Sequence, residues 1–311
     1  MAGKTKRNKE GESMDSKGND RKSVLMNVAS MLIFGTIGIF RRNIPVSSTF
    51  LAFSRGMLGS LFLTLFMLLR RRKGTERLPG RTAAWLSLSG AVMGFNWILL
   101  FEAYSHTTVA VATLCYYMQP TIVILLSPIV FRERLTVKKG ICAGIAIIGM
   151  VLVSGVIGGG PQTGDATGVL LGLGAAVLYA GVVMMNKRIS GVETYRKTTI
   201  QLFSAGAVMV PYMLLTGGFG IGPEGFSGQT AALLLVVGIV HTGIAYVLYF
   251  GSIEGLKAQS VAILSYIDPV SALIFSALLL KEPLSAAGVI GAVLIIGSAV
   301  VSEVEFRKTD P

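Results

Sequence analysis

The sequence predicts an all-α membrane protein: ten transmembrane helices arranged as two inverted five-helix repeats. Three observations carry this. Apolar runs of spanning length recur ten times, one stretch of the chain returns 149 residues later, and lysine and arginine collect in alternate loops.

Composition sets the class. The chain is 52% hydrophobic and only 14% charged, with a mean hydropathy of +0.67. Soluble domains carry nearer a quarter of charged residues. The apolar runs fall at 24–40, 48–69, 82–104, 107–131, 140–157, 168–185, 198–216, 229–253, 258–280 and 286–301. Each is near the length a helix needs to cross about 30 Å of hydrocarbon. The connectors are turn-like, such as Gly158–Pro161 and the Gly/Pro-containing run 217–228, or charged, such as Arg70–Arg81. Residues 1–22 are polar, mixed in charge and without a signal-peptide core, so they read as a disordered cytoplasmic tail. Residues 304–311 read as a second cytoplasmic tail, with the repeats at 23–157 and 158–303 between them.

The duplication is clearest over the last three spans of each half. FEAYSHTTVAVATLCYYMQPTIVILLSPIVFRERL begins at Phe101, and FGSIEGLKAQSVAILSYIDPVSALIFSALLLKEPL begins at Phe250. Tyr117 pairs with Tyr266, Pro120 with Pro269, Ser127 with Ser276, Glu133 with Glu282 and Leu135 with Leu284. Carried to Val151 and Val300, the two stretches share 10 identities in 51 pairs. Five spans per half is an odd number, so the two halves must enter the membrane in opposite senses. The loop charges agree. Placing the N-terminus inside puts 24 of the 28 lysines and arginines in cytoplasmic loops and tails, with Arg41, Arg42 and Lys281 outside and Arg55 within a span. Both termini are therefore expected in the cytoplasm, and the protein in the cytoplasmic membrane.

A mid-helix proline, a charged Glu-x-Leu-Thr/Ser turn and a Gly/Ala-rich span, all occurring twice, resemble the EamA-type branch of the drug/metabolite transporter superfamily. The resemblance covers roughly 24–301. It implies export or exchange of a small metabolite such as an amino acid, through a central cavity lined by the first four spans of each half, with the fifth spans at the periphery.

Strongly polar groups at membrane depth are costly, about 2.5–3.5 kcal/mol for Asp or Arg at a helix centre, and mark pathways or sites. Near the midplane stand Asn96, Gln119, His241 and Asp268, with Arg55 displaced toward the outside and Glu102 near an outer helix end. Gln119 and Asp268 are equivalent in the repeat, and each precedes a helix-breaking proline. A proline withdraws one backbone hydrogen bond and crowds another carbonyl, so Pro120 and Pro269 read as hinges of a gate. Asp268 is expected to bind substrate and to couple transport to a proton or cation; the alternative is a structural pair with Arg55 or His241. Arg55 suits a substrate carboxylate or a buried acidic partner. His241 suits proton relay, substrate contact or packing. Tyr117 and Tyr266 lie one turn from the paired prolines and are placed at the site. Asn96 and Gln119 complete the expected substrate contacts. Glu133 and Glu282 read as capping residues beside Thr136 and Ser285.

The remaining expectations are absences or partners. Cys115 and Cys142 sit inside apolar spans and suggest no disulfide framework. No Walker-type loop is present, so direct ATP use is not expected, and neither is a cofactor or a metal. The +12 net charge lies in short loops, where it orients the protein and does not point to nucleic acid. The partners expected are a small-molecule substrate, membrane lipid and a coupling proton. A homodimer contact through Gly140-x-x-x-Gly144 stands beside simple helix packing. A secondary transporter leads these readings. A flippase for a lipid or lipid-linked sugar is the alternative. An intramembrane hydrolase would need a serine beside His241, and no Gly-x-Ser-x-Gly signature is present.

Overall fold

The computed structural model describes residues 20–69, 78–106, 112, 115–153, 166–217, 226–279 and 286–303. The tails at 1–19 and 304–311, the connectors 158–161 and 218–225, most of the Arg70–Arg81 loop, and the Lys281, Glu282 and Ser285 turn lie outside the described residues.

Over the described residues, helices occupy all ten predicted spans: α1 (20–35, continuing as Ile37–Arg42), α2 (Ser48–Leu69), α3 (Gly80–His106), α4 (Gln119–Phe131), α5 (Val137–Val153), α6 (Ala166–Arg188), α7 (Thr194–Thr216), α8 (Gly228–Gly255), α9 (Ala258–Leu264, then Ile267–Leu279) and α10 (Ala286–Glu303). The first helix is described from Asp20 on, inside the stretch that composition assigns to the tail. Among the described residues, five helices are by themselves long and apolar enough to cross a membrane: α2, α3, α6, α7 and α8. The others are shorter or interrupted, and three of the interruptions lie where the chain changes its hydrogen bonding. α1 turns at Thr36, whose N–H bonds to the Ile33 carbonyl three residues back. Residues 117–118 form a turn before α4, and 265–266 form the equivalent turn within α9.

The helix contacts obey a two-fold relation between halves. A rotation exchanging helix n with helix n+5 maps the pairs α2–α7, α4–α9 and α5–α10 onto themselves, and all three pack. It maps α2–α8 onto α7–α3 and α4–α6 onto α9–α1, and these pack as well. The buried tethers follow the same rule. Asn96 of α3 donates to the Ala175 carbonyl of α6 at 2.6 Å. In the related pair, Asn27 of α1 donates to Ser252 of α8 at 3.0 Å. With five helices per half, this axis lies in the membrane plane, as inverted repeats require.

Small residues let the backbones meet. A Cβ on Gly94 of α3 would fall 2.8 Å from the Ala205 carbonyl oxygen of α7. One on Gly149 of α5 would fall 2.7 Å from the Gly291 carbonyl oxygen of α10. Gly140 and Gly144 face open space instead, so the α5–α10 pair closes one to two turns further along than the Gly-x-x-x-Gly spacing suggests.

Candidate functional site

Both prolines open a helical segment. Pro120 is the second residue of α4, and Pro269 is the third residue of the segment Ile267–Leu279. Neither has an N–H to give, so the chain ahead of each tightens into three-residue steps. Met118 N–H bonds to the Cys115 carbonyl at 3.1 Å, Tyr266 N–H to Ile263 at 3.2 Å and Asp268 N–H to Ser265 at 3.3 Å. At ~1.5 Å per residue, Asp268 stands about 15 Å in from Ala258, half the thickness of a bilayer core.

These breaks bring the halves together through side chains. Tyr117 of the first half donates its hydroxyl to Asp268 Oδ2 of the second at 3.2 Å. Tyr266 of the second meets Thr121 of the first at 2.8 Å. By strict symmetry Tyr266 would meet Gln119. Gln119 is instead buried, and its Nε2 has no partner among the described residues. Asp268 and Tyr117 are only half-buried, whereas 258–266 beside them are nearly all fully buried.

Arg55 is also half-buried. Its Nε donates to Thr242 Oγ1 at 3.2 Å, and its guanidinium lies 5.4 Å from the Trp97 ring centroid. Among the described residues no carboxylate lies within ion-pair distance of it, and Asp268 has no cationic partner. The structural pairing of Asp268 with Arg55 or His241 is thus not the arrangement found. Glu102 does not serve Arg55 either; it accepts from the Tyr212 hydroxyl of α7.

His241 sits in a π-helical stretch, Val237–Ile244, where α8 widens. The Thr242 side-chain hydroxyl donates to the Val237 carbonyl, five residues back, at 2.9 Å. His241 Nε2 lies 2.8 Å from Thr36 Oγ1, at the break in α1, and its ring meets Phe40 edge-on at 4.6 Å. The Thr36 hydroxyl also reaches the Ile33 carbonyl at 2.7 Å, so it bridges the imidazole and the break in α1. Asn96 is fully buried as the α3–α6 tether and does not join the other polar groups.

Between Asp268 and Arg55 runs a continuous aromatic wall, of which sequence reading placed only Tyr117 at the site. Tyr117 contacts Tyr116, Tyr116 contacts Tyr179, and Tyr179 stacks on Tyr249 at 6.5 Å and 9°. Tyr249 meets Phe34, which packs edge-on against Tyr246 at 5.1 Å. Tyr246 lies within electrostatic reach of both Arg55 and Asp268. These rings come from α1, α4, α6 and α8, which sequence spacing does not connect. Also missed was Lys197, fully buried in the first turn of α7 and bonded to the Asn186 and Ile189 carbonyls at 2.8 Å each. It had been grouped with the loop charges.

Two inverted five-helix repeats that meet at broken helices, with polar groups held inside a lipid-facing bundle, define a membrane transporter. The model of the EamA-like transporter family matches twice, at residues 21–155 and 166–303. This chain belongs to that family, within the drug/metabolite transporter superfamily. It is 30% identical over 253 residues to the "Uncharacterized transporter YxxF" of Bacillus subtilis, covering 81% of this chain and 80% of that one. It is 28% identical over 232 residues to "Protein PecM" of Dickeya dadantii, covering 73% and 76%. A solved crystal structure superposes with a TM-score of 0.79 at 21% identity, covering 90% of this chain and 96% of that one, a likeness of fold.

Proposed function

We infer that the protein is a secondary active exporter or exchanger of a small metabolite that carries both an amine and an acid, such as an amino acid, with organic amines as the nearest alternative. It works in the cytoplasmic membrane with both termini inside, by alternating access around the Asp268–Arg55 space. One observation carries the reading: two opposite charges at membrane depth, both half-buried, neither neutralised by a side chain of opposite charge, at the two ends of one aromatic wall. Holding them apart costs free energy that a ligand with matching charges repays. Arg55 presents a planar fork to a carboxylate, while Asp268 and the Tyr117 hydroxyl receive an ammonium. The rings between them take the apolar part of the ligand.

Asp268 is also the coupling group. A carboxylate can bind a proton or the substrate's cation in turn, and exchanging the two as access alternates is the linkage a secondary carrier needs. Pro120 and Pro269 mark the hinges, since each lies where α-helical bonding is already interrupted. His241 and Gln119 are buried polar groups that become ligand contacts as the halves move, and Tyr266 ties α9 to α4. The interior position of the polar groups favours a solute over a lipid headgroup entering from the side.

The test is thermal stabilisation of the purified protein against a panel of amino acids, organic amines, neutral sugars and lipid headgroups. Stabilisation by zwitterions or amines and by no other class is expected. Stabilisation by sugars or headgroups alone would overturn the reading.

A further inference from the structure

At one end of the bundle the last turn of α4, the end of α6 and the α8–α9 hairpin converge, and the bonds among them cross from one half to the other. Only Leu256 and Lys257 connect α8 to α9. The first N–H groups of a helix lack internal partners, and the Lys257 side chain does not cap α9. The cap comes from the other half: Glu133 Oε1 accepts from the Ala258 N–H at 3.1 Å. The same oxygen lies 3.7 Å from Lys187 Nζ of α6, whose ammonium also donates to the Leu256 carbonyl and sits 5.8 Å from the Phe131 ring. The hairpin is thus held from both sides. Glu133 does not cap α5, as its sequence position suggests; Thr136 does, accepting from the Lys139 N–H at 3.3 Å.

Three more bonds at this end also join the halves. Lys139 donates to Ser260 at 3.0 Å, Gln259 donates to Ser127 at 2.9 Å in a fully buried pair, and Arg188 donates to the Val130 carbonyl at 2.9 Å. We propose that Glu133, with Lys187 and the α9 N-terminus, is the latch of a gate that closes this end of the transport pathway and must open for substrate to pass there. The gate rests on the transporter reading above, and this end is cytoplasmic in the orientation proposed there. The parts suit a switch. Glu133 is partly exposed, its bonds are to a helix end and a lysine side chain, and water can replace each of them once the halves rock apart. The Lys197–Glu254 contact at the same end, by contrast, lies within the second half and has no reason to break.

The experiment reads access and needs no substrate. In a chain with Cys115→Ser and Cys142→Ala, Ser265→Cys places a near-isosteric thiol at the break in α9, behind the latch. A membrane-impermeant maleimide is added to the face carrying residues 132–136, using inside-out vesicles. Glu133→Gln is expected to raise the initial labelling rate about tenfold, the worth of one charge-assisted hydrogen bond. Ser260→Ala, which removes the Lys139 contact, is expected to raise it in the same direction and keeps the test open if Glu133→Gln does not assemble. Glu254→Gln is expected to leave it unchanged. Labelling no faster in Glu133→Gln or Ser260→Ala than in the parent overturns the latch, and so does an equal rise in Glu254→Gln. Because the readout is labelling alone, a failure here is separate from a failure to find a zwitterionic ligand.

Discussion

Lys197 provides a quantitative test of the packing at that end. It lies in the first turn of α7, where the helix dipole disfavours a cation, and it is fully buried. Its ammonium is tolerated because three acceptors converge on it: the Asn186 and Ile189 carbonyls at the end of α6, at 2.8 Å each, and Glu254 Oε1 near the end of α8, at 3.3 Å. Lys197→Met keeps the length of the stem but leaves both carbonyls without their donor. Each buried carbonyl left unsatisfied costs about 1–3 kcal/mol, so the two together are expected to cost about 3–5 kcal/mol. Glu254 differs, since its side chain is 43% exposed and water screens its loss to about 1 kcal/mol or less. At ~2 °C per kcal/mol for a chain of this size, Lys197→Met should melt roughly 6–10 °C lower and Glu254→Gln no more than about 2 °C lower. Fluorescence-detected thermal melts of the detergent-purified proteins measure both. If Lys197→Met melts within about 2 °C of the parent, or if both variants lose equally, the ammonium is not what holds α6 to α7.

Two further outcomes follow from the arrangement of the halves. Gly149→Val should drive α5 from α10, because even a Cβ there would lie 2.7 Å from the Gly291 carbonyl; a loss of about 1–3 kcal/mol is expected in the same melts, whereas Gly144→Val, on an open face, should cost little. Ala166→Cys, on the exposed start of α6, should react with impermeant maleimide from outside intact cells in the cysteine-free chain, and reaction from the cytoplasmic side alone would reverse the proposed orientation.

The architecture was legible because it depends on sums over many residues. Span length, loop charge and an odd-numbered repeat each average over dozens of positions, so ten helices in two inverted sets emerged without a single contact being known. The helix breaks were legible too, because Pro120 and Pro269 act on their own backbone. What depends on partners was not. Asn96 and Asp268 look alike in sequence, as polar residues near mid-span, yet one is a fully buried tether to Ala175 and the other is half-buried and accepts from the Tyr117 hydroxyl of the opposite half. The aromatic wall draws on four helices, and no local spacing announces that Tyr179 will stack on Tyr249. Glu133 sits where it could cap its own next helix, and only the tertiary fold shows that its acceptor is spent on Ala258. Lys197 looked like loop charge because burial of a lysine is decided by the helix ends that converge on it.

The claim at the centre of this account is that Asp268 exchanges a proton or cation for substrate. Asp268→Asn keeps the size of the side chain and its contact with Tyr117 but cannot titrate. In proteoliposomes, with the ligand that the stabilisation panel identifies, the variant should retain exchange of labelled for unlabelled substrate and lose uptake driven by a pH gradient. Gradient-driven uptake at the parent rate by Asp268→Asn would contradict it.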